Sequence, residues 1–447
     1  MENKNCNILI KNATILNGDF EIERDKTLVI NNGVIEKILN SDEGYTSENI
    51  IDRKGFLWMP GLTDGHMHTA QQMLRGRILD ELPMIWTRIM VPFESSLTRE
   101  DINLSAHLSS IEMIKKGTTS FIDAGGPFID EAAKVYIDSG LRGGVTYSTM
   151  DDKGVPPTMR NDVDECILNL NRLYDEFNGA GNGRIKVYYS LRSLISCSQE
   201  LIEGVFNEAN LRGAAIQAHM NEYPNEVNFF LEKYKLRPLE YLNSLGVLSD
   251  RFLSAHSIML SQNEMDIIKD NKVKVVHCPF SNCGKGIPDT PALLQKGVSV
   301  GLGSDGTAHG GMDIFQEMKV FRSIMNLYYG TKSSSPNIMS AKDILSIATK
   351  GGASALMEEG SLGEIREGYK ADLVALDLNE SHLYPTNNIV NTIVESVSGS
   401  DVKHMIVNGK LIMKDREILT IDEEKVRYNA ARGLESKGIF SGDKCYY

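Results

Sequence analysis

His66 and His68 follow the apolar run Trp58-Met59-Pro60-Gly61-Leu62 and are separated by a single residue. On an extended strand, residues i and i+2 point to the same side. Two imidazoles at that spacing can grip one metal ion from one face; the competing reading is a pair of surface histidines in a loop. Three other positions repeat the pattern of an ionisable residue closing a short apolar run. His219 ends Ala214-Ala215-Ile216-Gln217-Ala218, His256 ends Phe252-Leu253-Ser254-Ala255, and Asp305 ends Val298-Ser299-Val300-Gly301-Leu302-Gly303-Ser304. Glu222 stands three residues after His219. The imidazoles of His66, His68 and His219 with the carboxylate of Asp305 suit Zn²⁺, with Fe²⁺ or Mn²⁺ as alternatives. A catalytic metal keeps one position open and lowers the pKa of water there towards ~7. The chemistry expected is hydrolysis.

Each residue has an expected role and a plainer competitor. Asp305 is expected both to touch the metal and to accept a proton, the competitor being an N-cap of the helical segment that follows. Glu222, not needed as a ligand, is expected to shuttle protons to a ring nitrogen or leaving group. Its competitor is a solvated glutamate, and Glu226 is close enough to take the role instead. His256 is expected to orient water or offset developing charge, against the alternative of a satisfied core histidine. His277 ends another strand and is either substrate-facing or structural. His309, four residues after Asp305, is placed to face the pocket. His107, His382 and His404 lie away from strand ends and carry no assigned chemistry.

These positions need a frame that brings strand ends together. From residue 61 to about 350, β-branched runs alternate with amphipathic helical stretches, as βα units do. Eight strands are expected near 61–66, 118–123, 142–147, 185–191, 214–219, 252–256, 273–277 and 298–304. Helical stretches include Ala106 to Lys116, Glu131 to Ser139, Val163 to Phe177, Gln199 to Leu211, Val227 to Leu245 and Asp313 to Tyr328. The fold class expected is therefore α/β, a (β/α)8 TIM barrel. Barrel active sites sit at the C-terminal ends of the strands, where these polar residues fall. Residues 1–60 and 355–447 have a β texture instead: Asn7-Ile8-Leu9-Ile10, Thr27-Leu28-Val29-Ile30 before an Asn31-Asn32-Gly33 turn, a strand at Asp372-Leu373-Val374-Ala375-Leu376, and a hairpin around Asn408-Gly409. They are expected to pair into a small β-sandwich domain flanking a barrel of residues 61–354.

The 447 residues suffice for one large core or two ordinary ones. Net charge is −13, with no basic block, which argues against nucleic-acid binding through phosphates. Cys6, Cys166, Cys197, Cys278, Cys283 and Cys445 are too scattered for a disulfide framework, and no Cys-x-x-Cys pair occurs. Cys278 and Cys283 read as reduced thiols near a strand end rather than as half a zinc site. The N-terminus leads into strand-like sequence, and no apolar run approaches the ~20 residues that span a bilayer. A soluble cytoplasmic protein without membrane partners is expected.

In this order the residues resemble the amidohydrolase superfamily, in its chlorohydrolase and aminohydrolase branch, which includes S-adenosylhomocysteine/methylthioadenosine, guanine and cytosine deaminases. Pro60-Gly61-Leu62-Thr63-Asp64-Gly65-His66-Met67-His68 resembles its first metal motif. Met73-Leu74-Arg75-Gly76 with Leu82-Pro83-Met84-Ile85-Trp86 resembles a segment capping the pocket, which makes Trp86 a substrate contact. Ala218-His219-Met220-Asn221-Glu222, Ala255-His256-Ser257, His277 to Asn282 and Gly303-Ser304-Asp305-Gly306 complete the series. Gly360 to Ile365 with Gly368 to Val374 resembles a strand pair returning to the small domain. The resemblance implies one divalent metal held by His66, His68, His219 and Asp305, because no obvious carboxylated lysine stands at the fourth strand to bridge a second. It further implies Glu222 and His256 as proton shuttle and water-orienting group, loss of ammonia from an amidine-like ring carbon, and a homodimer or larger assembly.

Two departures bear on substrate. Adenosine-type deaminases of this branch carry a Pro-His-Ala-Pro-Tyr-like run after the fourth strand; here it is Ser190-Leu191-Arg192-Ser193-Leu194-Ile195-Ser196-Cys197-Ser198. Arg192 stands where guanine deaminases also carry an arginine. A guanidinium only donates, in a planar fork, and suits a ring carbonyl better than a bare ring nitrogen. The alternative is an Arg192 paired with an acid outside the pocket. Gly310-Gly311 also replace a usual pair of asparagines. The expected function is a deaminase of an oxo-substituted amino-purine, pterin, pyrimidine or triazine. Alternatives are a S-adenosylhomocysteine/methylthioadenosine deaminase, a chlorohydrolase or cyclic amidohydrolase, and a non-catalytic metal-binding scaffold.

Overall fold

The computed structural model describes residues 4–42, 44–52, 54–81, 85–335 and 337–436. Eight parallel strands follow one another in space in their chain order: Leu62–Met67, Thr118–Asp123, Arg142–Thr146, Ile185–Ser193, Ile216–Met220, Phe252–His256, Lys274–His277 and Val300–Leu302. Side chains alternate as strand geometry demands. Phe121, Val187, Tyr189, Ile216, Phe252 and Val275 point outward into the main core beneath the helices. Ile122, Tyr188, Leu253 and Val276 point inward, where Ala353, Ala355, Leu356 and Leu362 plug one end of the cylinder.

The first and eighth strands close the barrel through polar contacts at their ends. Ser304 N–H donates to Asp64 Oδ1 (2.9 Å), and Asp305 N–H donates to His66 O (2.9 Å). The approach is so close that a Cβ on Gly303 would lie 2.7 Å from His66 N, a separation only glycine tolerates. Outer helices start where short polar side chains cap free backbone N–H groups: Thr98, Asp162, Ser198, Ser261 and Asp313 each accept from a first-turn amide. The helix after Asp305 is thus capped by Asp313, leaving Asp305 free of that duty.

One expected helix is broken. Val227 to Leu245 forms two helices, Pro224–Tyr234 and Pro238–Ser244, with Lys235 left-handed between them (φ 60°). Pro238 has no N–H to donate and its ring clashes with a preceding turn, so it opens a new helix rather than continuing the old one. The two chain ends share a mixed sheet in which Leu373–Asp377 pairs antiparallel with Phe56–Pro60, and Ile8–Leu16 joins Phe56–Pro60 on the other side. The Asn408-Gly409 hairpin forms between Val402–Val407 and Lys410–Lys414, both turn residues at positive φ. Of the expected return pair, only the second segment becomes a strand; Gly360 to Ile365 is turns and coil, its Leu362 and Ile365 buried as plugs. One face of this sheet, with Leu57, Met59, Val374 and Met405, packs on the barrel. The other, with Ile10, Ile15, Trp58 and Ala375, forms its own cluster. Among the described residues no helix is long and apolar enough to cross a membrane.

Candidate active site

The C-terminal strand ends bring His66, His68, His219 and Asp305 together, one ligand atom from each lying within 4.8 Å of all the others. His68 Nε2 is 3.1 Å from His219 Nε2, and Asp305 Oδ1 is 3.6 Å from His66 Nε2 and 3.4 Å from His68 Nε2. The protonation states suit metal binding, which needs neutral imidazoles and an ionised carboxylate. Burial holds His68 and His219 well below the usual imidazole range. Burial would raise Asp305, but His309, Lys285 and His256 around it outweigh that and hold it well below the usual carboxylate range. The fit to a cation is visible in what the buried groups lack. His66 Nε2, one of the converging atoms, is wholly buried without a hydrogen-bond partner among the described residues, an arrangement that costs free energy unless something else engages it. Asp64 braces the cluster from behind: its carboxylate accepts from Ser304 N–H (2.9 Å) and Ser304 Oγ–H (2.5 Å) while burial pushes it up to about 6.

Glu222 and His256 flank this centre. His256 Nε2 lies 3.7 Å from Glu222 Oε1. His256 Nδ1 donates to Asn282 Oδ1 (3.3 Å), so in a neutral ring Nε2 carries the lone pair. Burial keeps this ring neutral as well. Glu226 lines the same pocket beside Glu222. Its Oε2 accepts the Glu222 backbone N–H (3.0 Å), and burial pushes its carboxyl up to about 8. It supports the turn that carries Glu222.

One pocket is lined by His68, His219, Glu222, Asp305, Arg192, Trp86 and His309. Trp86 sits on the short π-helical turn Trp86–Met90, while Leu82, Pro83 and Met84 of the capping segment lie outside the described residues. His309 reaches Asp305, Nε2 to Oδ2 at 3.2 Å. Arg192 does pair with an acid, but at the pocket wall: Nη2 donates to Glu94 Oε1 (2.9 Å) and Nη1 to Gly125 O (3.2 Å). His277 is placed differently from the substrate-facing expectation. Its Nδ1 donates to His256 O (2.7 Å), and its ring lines a separate cavity behind His256 with Phe321 and Met325. Cys278 is a buried thiol and Cys283 an exposed one; Cys445 lies outside the described residues.

Sequence reasoning missed three groups here. Lys285 lines the pocket with its Nζ 2.6 Å from Glu222 Oε1. Glu94 accepts from both Arg192 and Gln71 Nε2 (2.8 Å), and Gln71 itself faces the pocket. Lys285 had a legible signal, a lysine between Gly284 and Gly286 just after the seventh strand; Glu94 and Gln71 had none, because neither ends a strand.

The comparisons agree with this geometry. The model of the amidohydrolase family matches residues 57–412. A 5'-deoxyadenosine deaminase of Methanobrevibacter smithii is 34% identical over 435 residues, covering 96% of this chain and 97% of that protein. A 5-methylthioadenosine/S-adenosylhomocysteine deaminase of Caldanaerobacter subterraneus is 33% identical over 439 residues, covering 96% and 98%. Among solved structures, an adenosine deaminase from Xanthomonas campestris with bound zinc superposes with a TM-score of 0.89 at 25% identity, covering 98% of this chain and 100% of that one. A guanine deaminase from C. acetobutylicum with bound guanine (TM-score 0.81, 24% identity, 90% and 99% covered) shares the fold. With a barrel of eight parallel strands, two buried imidazoles, a half-buried one and a carboxylate at their ends, and a family match across most of its length, this chain belongs to the amidohydrolase family and is a hydrolase.

Proposed function

We propose that the protein is a metal-dependent hydrolytic deaminase of an amino-substituted nitrogen heterocycle, with one divalent ion, zinc before iron or manganese, held by His66, His68, His219 and Asp305. The observation that carries this reading is the convergence of those four ligand atoms beside Glu222 and His256. A donor set of three nitrogens and one oxygen suits zinc. When bound, the ion supplies Lewis acidity that makes water nucleophilic near neutral pH. The protein's own groups do the rest. The His256 Nε2 lone pair orients water towards the ring carbon. Glu222 accepts one proton from that water and delivers it to a ring nitrogen, then carries the second proton, from the hydroxyl so formed, to the departing amine, so that a C–O bond forms, a C–N bond breaks and ammonia leaves. Trp86 and His309 border the substrate.

The part of the pocket lined by Arg192 and Gln71 favours a substrate with a ring carbonyl. Arg192 offers only N–H donors, and its charge is already met by Glu94. Gln71 Oε1, buried and without a partner among the described residues, adds an acceptor. Donor beside acceptor complements the C=O and N–H of an oxo-substituted amino-purine, pterin, pyrimidine or triazine. The curated relatives favour a second reading, a nucleoside substrate such as 5'-deoxyadenosine, methylthioadenosine or S-adenosylhomocysteine. Ammonia release from zinc-loaded protein, measured across both groups, separates the two. Release from guanine, pterin or an oxo-aminotriazine is expected, with Glu222→Gln lowering kcat by about 10²–10⁴-fold. Release confined to the nucleosides establishes the second reading. No release from either group, with chloride released from a chlorotriazine, makes the protein a chlorohydrolase instead.

A further inference from the structure

We propose that Lys285 is a positioning residue of this reaction, its ammonium clamping the Glu222 carboxylate against the pocket floor. The inference rests on the deaminase reading above. Lys285 follows the helical turn Pro279–Asn282, and its side chain is only 3% exposed although it faces the pocket. Its three N–H donors all have partners: Glu222 Oε1 at 2.6 Å, Ser281 Oγ at 2.6 Å and Asp305 Oδ2 at 3.3 Å. The Tyr223 ring lies 5.5 Å from the same ammonium.

The arrangement sorts the oxygens of two acids. Asp305 Oδ1 faces His66 and His68, while Oδ2 accepts from Ser281 Oγ–H (2.6 Å) and from Lys285. Ser281 therefore accepts from the ammonium and donates to Asp305, completing a ring of contacts. Glu222 is held from two directions, its backbone N–H by Glu226 and its Oε1 by Lys285. Glu222 and Asp305 have oxygens within 4.8 Å of one another, a separation at which two carboxylates repel strongly away from bulk water. A cation placed between them offsets that repulsion and sets the distance of Glu222 from His256. A general base must sit within hydrogen-bond reach of its proton, and a displacement of about 1 Å can cost on the order of 10²-fold in rate. No other lysine or arginine among the described residues contacts Glu222 in an ion pair.

The test uses full-length zinc-loaded protein and whichever panel substrate releases ammonia fastest. For Lys285→Ala, kcat is expected to fall about 10²-fold, while KM stays within about threefold and zinc stoichiometry is unchanged. Added ethylamine, a primary ammonium small enough for the vacated space, is expected to restore part of kcat to Lys285→Ala and none to Glu222→Gln. Lys285→Met keeps the buried stem and reads the same split of kcat against KM if the alanine variant does not fold. A kcat close to wild type overturns the inference, as does a loss carried by KM. Zinc loss without amine rescue also overturns it, in favour of a role in retaining the ion. An inactive wild type across the whole panel overturns the deaminase reading and this inference together; an active wild type with an equally active Lys285→Ala overturns this inference alone.

Discussion

The two ends of the barrel are both polar and both buried, yet they are built to different rules. At the N-terminal end two networks of buried charge are met within the chain. Arg142, 2% exposed, donates from Nε to Asp372 Oδ2 (2.7 Å) and from Nη2 to Asp372 Oδ1 (3.0 Å) and Asn408 Oδ1 (3.2 Å). Asp372 Oδ1 also accepts Asn408 N–H (2.8 Å), so one ion pair ties the third barrel strand to the terminal sheet and its hairpin. Beside it, Lys186 donates to Leu356 O and Met357 O and pairs with Glu358, which Lys370 and Ser361 also engage. Burial would raise the Glu358 carboxyl, but these donors bring it down to about 2. At the C-terminal end the opposite holds. Ring nitrogens of His66, His68 and His256 lie buried without partners among the described residues. Left-handed backbone does not separate the ends: His256, Ser257 and Asp305 adopt it at one, and Met357 at the other. Polar satisfaction does. The Arg142–Asp372 and Lys186–Glu358 pairs are met within the chain, whereas imidazole nitrogens of the proposed metal site are not.

The comparison breaks most sharply at its catalytic end. Stripping the metal with a chelator, or removing a ligand in His219→Ala, is expected to abolish turnover while leaving the far-ultraviolet circular dichroism of the barrel in place; restored activity on adding zinc to the stripped wild type, and not to His219→Ala, checks it. A chelated protein that keeps full activity would count against a metal centre here. At the other end the sign reverses. Arg142→Met leaves Asp372 buried without its cation and is expected to cost about 3–5 kcal/mol of stability in urea unfolding, with kcat little changed in the protein that remains folded. Equal losses of kcat and stability would erase the distinction between the two ends.

A smaller effect lies between them, in pH. The folded protein raises Glu226 to about 8, above the ordinary value of 4.5. The folded state therefore holds this proton more tightly than the unfolded chain. The stability it contributes is full below about 4.5 and is lost as pH rises through about 8. Glu226→Gln cannot ionise, so its stability in urea unfolding relative to wild type is expected to improve from pH 5 to pH 9, by an amount on the order of a few kcal/mol at most. A pH-independent difference would mean that Glu226 is not held as the neutral acid.

Much of this was legible because it is local. β-Branched apolar runs between helical stretches located all eight barrel strands, Asn408-Gly409 announced its turn, and His-x-His with the strand-ending His219, His256 and Asp305 marked the residues that converge. The misreadings have local causes as well. Pro238 should have divided the span from Val227 to Leu245. The strand expected at Gly360 to Ile365 rested on resemblance alone; its Leu362 and Ile365 stand three apart rather than two, and the backbone turns while they fill gaps in two different clusters.

What the order of residues determined by itself was the period of each segment and the chemical type found at each strand end, since both depend on neighbours a few positions away. Tertiary structure alone decided who faces whom. Lys285 meets Glu222 across 63 positions, Arg192 finds Glu94 across 98, and His277 turns its ring into a cavity behind His256. Those pairings are set by barrel closure and by the cost of leaving a buried charge unmet, a cost that no single segment of the chain can register.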